Sequence, residues 1–149
     1  MRRSHLLILA AWLLYGPSWF LPAFHVTLGW EAFIMESTAL FRPFQAGSIA
    51  ASEFRTRYQL VLSAASVITN LLFVVGTPWT LLRGSRSLRQ AFAWAAAAAF
   101  LINAHWHVLS TADVDLGVGY FLWWWSFLVL AVGFFDLAGR NEAAGSTHS

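Results

Sequence analysis

A chain of 149 residues that is 58% hydrophobic and only 11% charged has more apolar surface than one water-soluble core of that size can bury, so lipid is the expected solvent for the excess. Its formal charge of +2 rests on nine arginines at the ends of apolar runs, which argues against a nucleic-acid partner, since that would need them on one solvated face. The absence of cysteine excludes a disulfide, a thiolate nucleophile, an iron–sulfur cluster and cysteine-ligated zinc. All nine basic residues are arginine and none is lysine, the usage expected of a GC-rich bacterial genome.

A membrane-spanning helix needs about 20 mostly apolar residues. Four runs meet that need: 6–24, 58–82, 88–109 and 116–137. The fold class expected is therefore an all-α membrane protein, one domain of four transmembrane helices with an amphipathic interfacial helix between the first and second. Pro17, Pro22 and Pro78 lie near span ends, where a lost backbone hydrogen bond is most easily replaced. Residues 139–149 hold no hydrophobic run and read as a short mobile tail. The rival reading of the N-terminus is a cleaved signal peptide ending near Tyr15, but no small-x-small cleavage site follows it.

Short cytoplasmic loops carry the positive excess of a membrane protein. With four spans drawn, Arg2, Arg3, Arg83, Arg86, Arg89 and Arg140 share one side; Arg42, Arg55 and Arg57 fall on the other, offset by Glu31, Glu36, Glu53, Asp113 and Asp115. Both termini are then cytoplasmic, and the location is a bacterial inner membrane.

Between the first two spans, Trp30, Phe33, Ile34, Ser37, Leu40, Phe41 and Phe44 fall within about 120° of one helical face, with Glu31, Met35, Thr38 and Arg42 elsewhere on the wheel. The spacing predicts an interfacial helix over 29–42, on the outer membrane surface or capping the bundle. Here the chain resembles a group of small four-span bacterial inner-membrane proteins of unassigned function. The residues that carry the resemblance are Leu21-Pro22, Gly29-Trp30-Glu31-Ala32-Phe33, Thr69-Asn70-Leu71-Leu72-Phe73 and Gly119-Tyr120-Phe121-Leu122-Trp123. It implies the topology and no chemistry, and many of those proteins have Asn-Pro where this chain has Asn70-Leu71.

Polar groups deep in lipid need partners, which singles out Asn70 and Asn103. Each is expected to bond a neighbouring helix or to line a site for a small ligand or ion. On a regular helix, His105 and His107 point about 200° apart and cannot share one metal ion. His107 shares a face with Asn103 and is expected to turn further inward than His105. His25, His107, Asn103 and Asn70 are thus the candidate cofactor-binding residues, and His25, His107 and Glu31 the candidate metal ligands. The Trp123-Trp124-Trp125 run with Tyr120 reads as an aromatic belt, or as a cage for a quinone or pigment. The alanine tract 95–99, with Ala91 and Ala93 before it, permits close helix contact within the bundle or against a partner.

No Ser/His/Asp order, phosphate loop, HExxH or spaced carboxylate motif is present, so the sequence leans away from an enzyme. The function expected first is a non-catalytic accessory subunit, an immunity-type protein or another interaction partner, acting on a second membrane protein or on itself. The alternatives are a module holding haem, quinone or metal near the periplasmic face, and an oligomeric small-molecule transporter using Asn70 and Asn103. The arginine asymmetry makes one expectation directly measurable. A reporter active only in the cytoplasm should work when fused after Ser149, and a periplasm-active reporter working there would overturn the orientation.

Overall fold

The computed structural model describes residues 2–38, 54–109 and 115–145, with side chains over 2–38, 61–107 and 115–139. In chain order the elements are α1 (Arg3–Ser18), β1 (Pro22–Phe24), β2 (Thr27–Leu28), α2 (Gly29–Ser37), α3 (Phe54–Leu71), a π-turn (Leu72–Gly76), α4 (Thr77–Arg83), α5 (Arg86–Asn103), α6 (His105–Leu109) and α7 (Val118–Gly145). The protein is predominantly helical. Two stretches, Val61–Arg83 and Val118–Gly139, are each long and apolar enough to cross a membrane.

Helix α7 is the axis on which the others pack. Phe127, Leu130, Ala131, Phe134 and Leu137 recur at spacings of one helical face and are all buried. Antiparallel α1 approaches so closely that a Cβ on Gly133 would lie 2.9 Å from Ile8 Cγ1 and 3.2 Å from Leu7 Cβ. Antiparallel α5 contributes buried Ala93, Ala96 and Ala99, with Phe92 packing edge-on to Phe134 and Phe100 stacked on Trp124. The small-residue face of the alanine tract is therefore used inside the bundle.

The third side comes from α3 and α4, which the π-turn joins into one continuous helical segment. Pro78 lacks an N–H, and its ring crowds the carbonyl four residues earlier, so the widened turn sits where an α-helical bond is already lost. Within that turn Phe73 is fully buried, stacked on Tyr15 of α1 at 4.1 Å and edge-on to Phe127 of α7 at 5.4 Å. A Cβ on Gly76 would meet the Phe92 ring at 2.5 Å, which draws this segment against α5.

The first apolar run does not stay helical to residue 24. After Ser18 the chain turns, and Pro22–Phe24 pairs antiparallel with Thr27–Leu28. Pro22 cannot donate the next helical bond and disfavours the α conformation before it. His25 takes the left-handed conformation, φ 48°, at the hairpin tip, so it lies on an exposed turn and not at a helix end. The fourth run also starts later than residue 116: Leu116 bridges to Phe24, and α7 opens at Val118. At the other end, α7 runs past Asp136 to Gly145, so 139–145 is helix and not a mobile tail; 146–149 lie outside the described residues. One glycine, Gly139, does not stop a helix whose neighbours Leu137, Ala138, Glu142, Ala143 and Ala144 are strong helix formers.

The third apolar run breaks at Ala104. The carbonyls that would carry the helix onward are taken by side chains, with Tyr120 Oη donating to Asn103 O at 2.9 Å and His105 Nδ1 meeting Ile102 O at 2.6 Å. The His107 amide then bonds Ala104 O instead of Asn103 O.

Large apolar side chains cover the outside of every long helix. Leu6, Leu9 and Leu13 are exposed on α1, Val61, Ile68 and Leu71 on α3, Trp79 and Leu82 on α4, Trp94 and Leu101 on α5, and Phe121, Trp125 and Val132 on α7. Buried polar residues include Ser4, Ser18, Ser66, Asn70, Thr77, Thr80, Asn103 and Ser126. So apolar an exterior calls for burial in lipid or against another protein.

The Gly133 contact yields a stability test. Gly133→Leu places a side chain where α1 leaves no room and should cost about 1–3 kcal/mol, read as a lower melting temperature in detergent. Unchanged melting would mean that the two helices are not in contact there.

Candidate functional site

A chain of hydrogen bonds crosses the bundle. Asn70 Oδ1 accepts from Tyr15 Oη of α1 and from Trp123 Nε1 of α7, each at 2.8 Å, while Asn70 Nδ2 donates to Ser66 O at 2.9 Å. One turn back, Ser66 Oγ donates to Asn103 Oδ1 at 2.8 Å and Asn103 Nδ2 donates to Thr69 Oγ1 at 3.0 Å. The two asparagines are thus joined through Ser66 and Thr69 and tie α1, α3, α5 and α7 together. Asn103 is wholly buried, its side chain is taken up by Ser66 and Thr69, and it is not among the residues lining the pocket that Asn70 faces.

That pocket lies beneath the hairpin. Four backbone bonds pin its roof: Gly29 N to Leu21 O, Trp30 N to Trp19 O, His25 N to Asp115 O and Gly117 N to Ala23 O, all between 2.8 and 3.1 Å. Glycine is required where the segments touch, since a Cβ on Gly29 would collide with Ser18 O and one on Gly119 with Leu21 O. The pocket is a partly open cleft, neither a sealed cavity nor a flat surface. Its walls are mainly aromatic, from Trp19, Phe24, Phe33, Tyr120 and Trp123, with polar atoms from Ser18, Asn70 and Glu36.

Helix α2 determines which side chains enter. Ala32 is buried, and Phe33 and Glu36 line the pocket with Gly29, whereas Trp30, Ile34 and Met35 point outward and are exposed. The inward face is set by the close contact at Gly29, so it is narrower than the apolar stripe predicted from spacing, and that stripe is divided between bundle and surroundings. The helix is described to Ser37, followed by Thr38; the predicted continuation to Arg42, with Leu40 and Phe41, lies outside the described residues.

Glu36 is the carboxylate of this site. Glu36 is half-buried, and the desolvation it undergoes beside the aromatic walls pushes its carboxyl up to about 8 from an ordinary 4.5; no partner for it is found among the described residues. The Tyr120 phenol lies within its electrostatic reach. From sequence, Glu36 falls on the predicted interfacial helix over 29–42 and is counted among the outer acids, but not among the candidate ligands. The available signal was its spacing, four residues after Ala32 and three after Phe33 on a short helix.

The other predicted residues are elsewhere. Glu31 caps α2, its carboxylate accepting from Leu28 N at 2.9 Å, and so acts as a helix-start residue. His25 sits on the exposed hairpin turn. His107 packs on Tyr120, Phe121 and Trp124, with ring centroids 4.4–5.5 Å away, outside the pocket. The expected order of burial is reversed: His105 is 8% exposed, and His107 is only half-buried. The break at Ala104 ends the continuous wheel on which that order rested. Among the described residues no group of three His, Asp or Glu side chains can hold a metal ion. The tryptophan run also divides, since Trp123 and Trp124 turn their N–H groups inward to Asn70 Oδ1 and Phe100 O, and Trp125 alone is exposed.

No family model, curated protein or solved structure matches this chain.

Asn70→Leu would leave the Tyr15 hydroxyl and the Trp123 N–H without an acceptor, a loss on the order of 1–3 kcal/mol. Adding Trp123→Phe removes one orphaned donor and should restore part of that loss. Strictly additive melting shifts would show that the two side chains are uncoupled.

Proposed function

We propose that the protein is a multi-pass inner-membrane protein that binds a small molecule in the pocket under its hairpin, on the outer face of the membrane. The observation that carries this reading is the cavity itself. A space lined by five aromatic side chains and a few convergent polar groups, one of them a carboxyl without a partner among the described residues, has the composition of a ligand site and not of packing left incomplete. The four-span topology is part of the proposal. Two of the spans coincide with the stretches long and apolar enough to cross alone, and the other two are α1 and the α5–α6 pair. At 16 residues α1 is about 24 Å long, short of a bilayer core of about 30 Å, and a bundle that thins the bilayer locally accommodates it. The apolar exterior on α1 and α5 supports their place in lipid, as does the resemblance to small four-span inner-membrane proteins. The arginine asymmetry puts the hairpin outside and both termini in the cytoplasm.

Of the functions expected from sequence, the ligand-binding module is favoured, with its site moved from the histidines to Glu36 and Asn70. The accessory-subunit reading loses part of one support, since Ala93, Ala96 and Ala99 of α5 are buried within the bundle, while Ala91 and Ala98 stay exposed. The transporter reading loses another, because Asn103 is consumed by its neighbours.

A probe of pocket size tests the reading. Benzyl alcohol should change the tryptophan fluorescence of the detergent-solubilised protein saturably, through Trp19 and Trp123, and Ala32→Phe, which fills the space from α2, should abolish that change while the melting temperature stays within a few degrees. Equal saturable responses in both proteins would mean that the pocket is not the binding site.

A further inference from the structure

We propose that the ligand is an organic monocation, an amine or quaternary ammonium carrying an apolar group, held with its charge against Glu36 and its apolar part among the aromatic walls. The inference rests on the pocket being a binding site and goes further by naming what binds. A carboxyl group among Trp19, Phe24, Phe33, Tyr120 and Trp123 has no counter-ion among the described residues of any wall. From α1 it faces Ser18 and Trp19, from the hairpin Ala23 and Phe24, from α3 Asn70, and from α7 Gly119, Tyr120 and Trp123. The titratable group among these is the Tyr120 phenol, and the second acid of α2, Glu31, is turned to the backbone at Leu28. An ionised carboxylate in apolar surroundings is costly unless a cation joins it.

The kind of cation follows from the remaining surface. A hard metal ion asks for six or more oxygens, yet Asn70 Oδ1 already accepts two hydrogen bonds. Aromatic faces attract instead a diffuse, weakly hydrated positive charge, and more strongly where the ring is desolvated. The pocket's polar atoms are few and lie with Glu36, Ser18 and Asn70, so the rest of the ligand must be apolar.

Cation and proton then compete for one carboxyl. Because burial holds the proton on Glu36 up to about pH 8, the cation must displace it below that pH, and affinity should rise with pH and level off above it. The sign is opposite to that for a ligand accepting a hydrogen bond from the neutral acid, which would bind more weakly as pH rises.

The experiment compares benzyltrimethylammonium with benzyl alcohol on the full chain in detergent, by tryptophan fluorescence between pH 6 and pH 9.5. The ammonium should bind at least about tenfold tighter than the alcohol at the high end, its affinity falling by up to about tenfold per pH unit below the Glu36 transition. Glu36→Gln keeps the shape of the side chain; it should remove both the preference for the ammonium and the pH dependence, and a melting temperature within a few degrees of wild type reports that the fold around the pocket is intact. If wild type binds both probes alike and Glu36→Gln changes nothing, the cation assignment fails while the pocket stands. If neither probe binds, both fail.

Discussion

The position of every long helix is referred to one amide. Asn70 accepts a hydroxyl from α1 and an indole N–H from α7 on the same oxygen, and through Ser66 it is linked to Asn103 on α5. Hydrocarbon contacts alone specify register weakly in lipid, because a sliding helix exchanges one apolar neighbour for another. A hydrogen-bonded amide does not slide without leaving a buried donor or acceptor unmatched. The close glycine contacts at Gly133 and Gly76 are compatible with one register only, and the amide network selects the same one.

The pocket inherits its shape from that network. Trp123 is held by its N–H on Asn70 and Tyr120 by its hydroxyl on Asn103 O, so two of the aromatic walls are rigid from behind. The roof is pinned independently by backbone bonds from the hairpin to both neighbouring segments. Glu36 thus enters a cavity whose walls are fixed by others, and no group among the described residues offsets the cost of desolvating its charge.

Apolar run length and small-residue spacing carried much of the fold in the sequence. The segment around Asn70, the close packing of the alanine tract and the need of both asparagines for partners were readable because each follows from a local rule about burial. What was not readable depends on contacts made across the chain. The helix break at Ala104 comes from Tyr120 and His105 capturing carbonyls, which no wheel drawn on residues 88–109 can contain, and it reversed the order of the two histidines. Glu36 was hidden for a similar reason: its face of α2 is inward because Gly29 lies against Ser18, a contact between segments eleven residues apart. The hairpin at Pro22–Leu28 had a local signal in Pro22, but continued hydrophobicity to Phe24 outweighed it.

Helix α7 spans 28 residues, about 42 Å, against about 24 Å for α1. With Gly133 set beside Ile8, the start of α1 falls level with about residue 138, and α7 continues for roughly 10 Å beyond it. The extension is a single unbroken rod continuous with the packing axis of the bundle. A water-soluble domain spliced in helical phase onto Gly145 would be held at a fixed angle to the helix bundle, giving it the bulk and rigid reference mark that single-particle imaging needs.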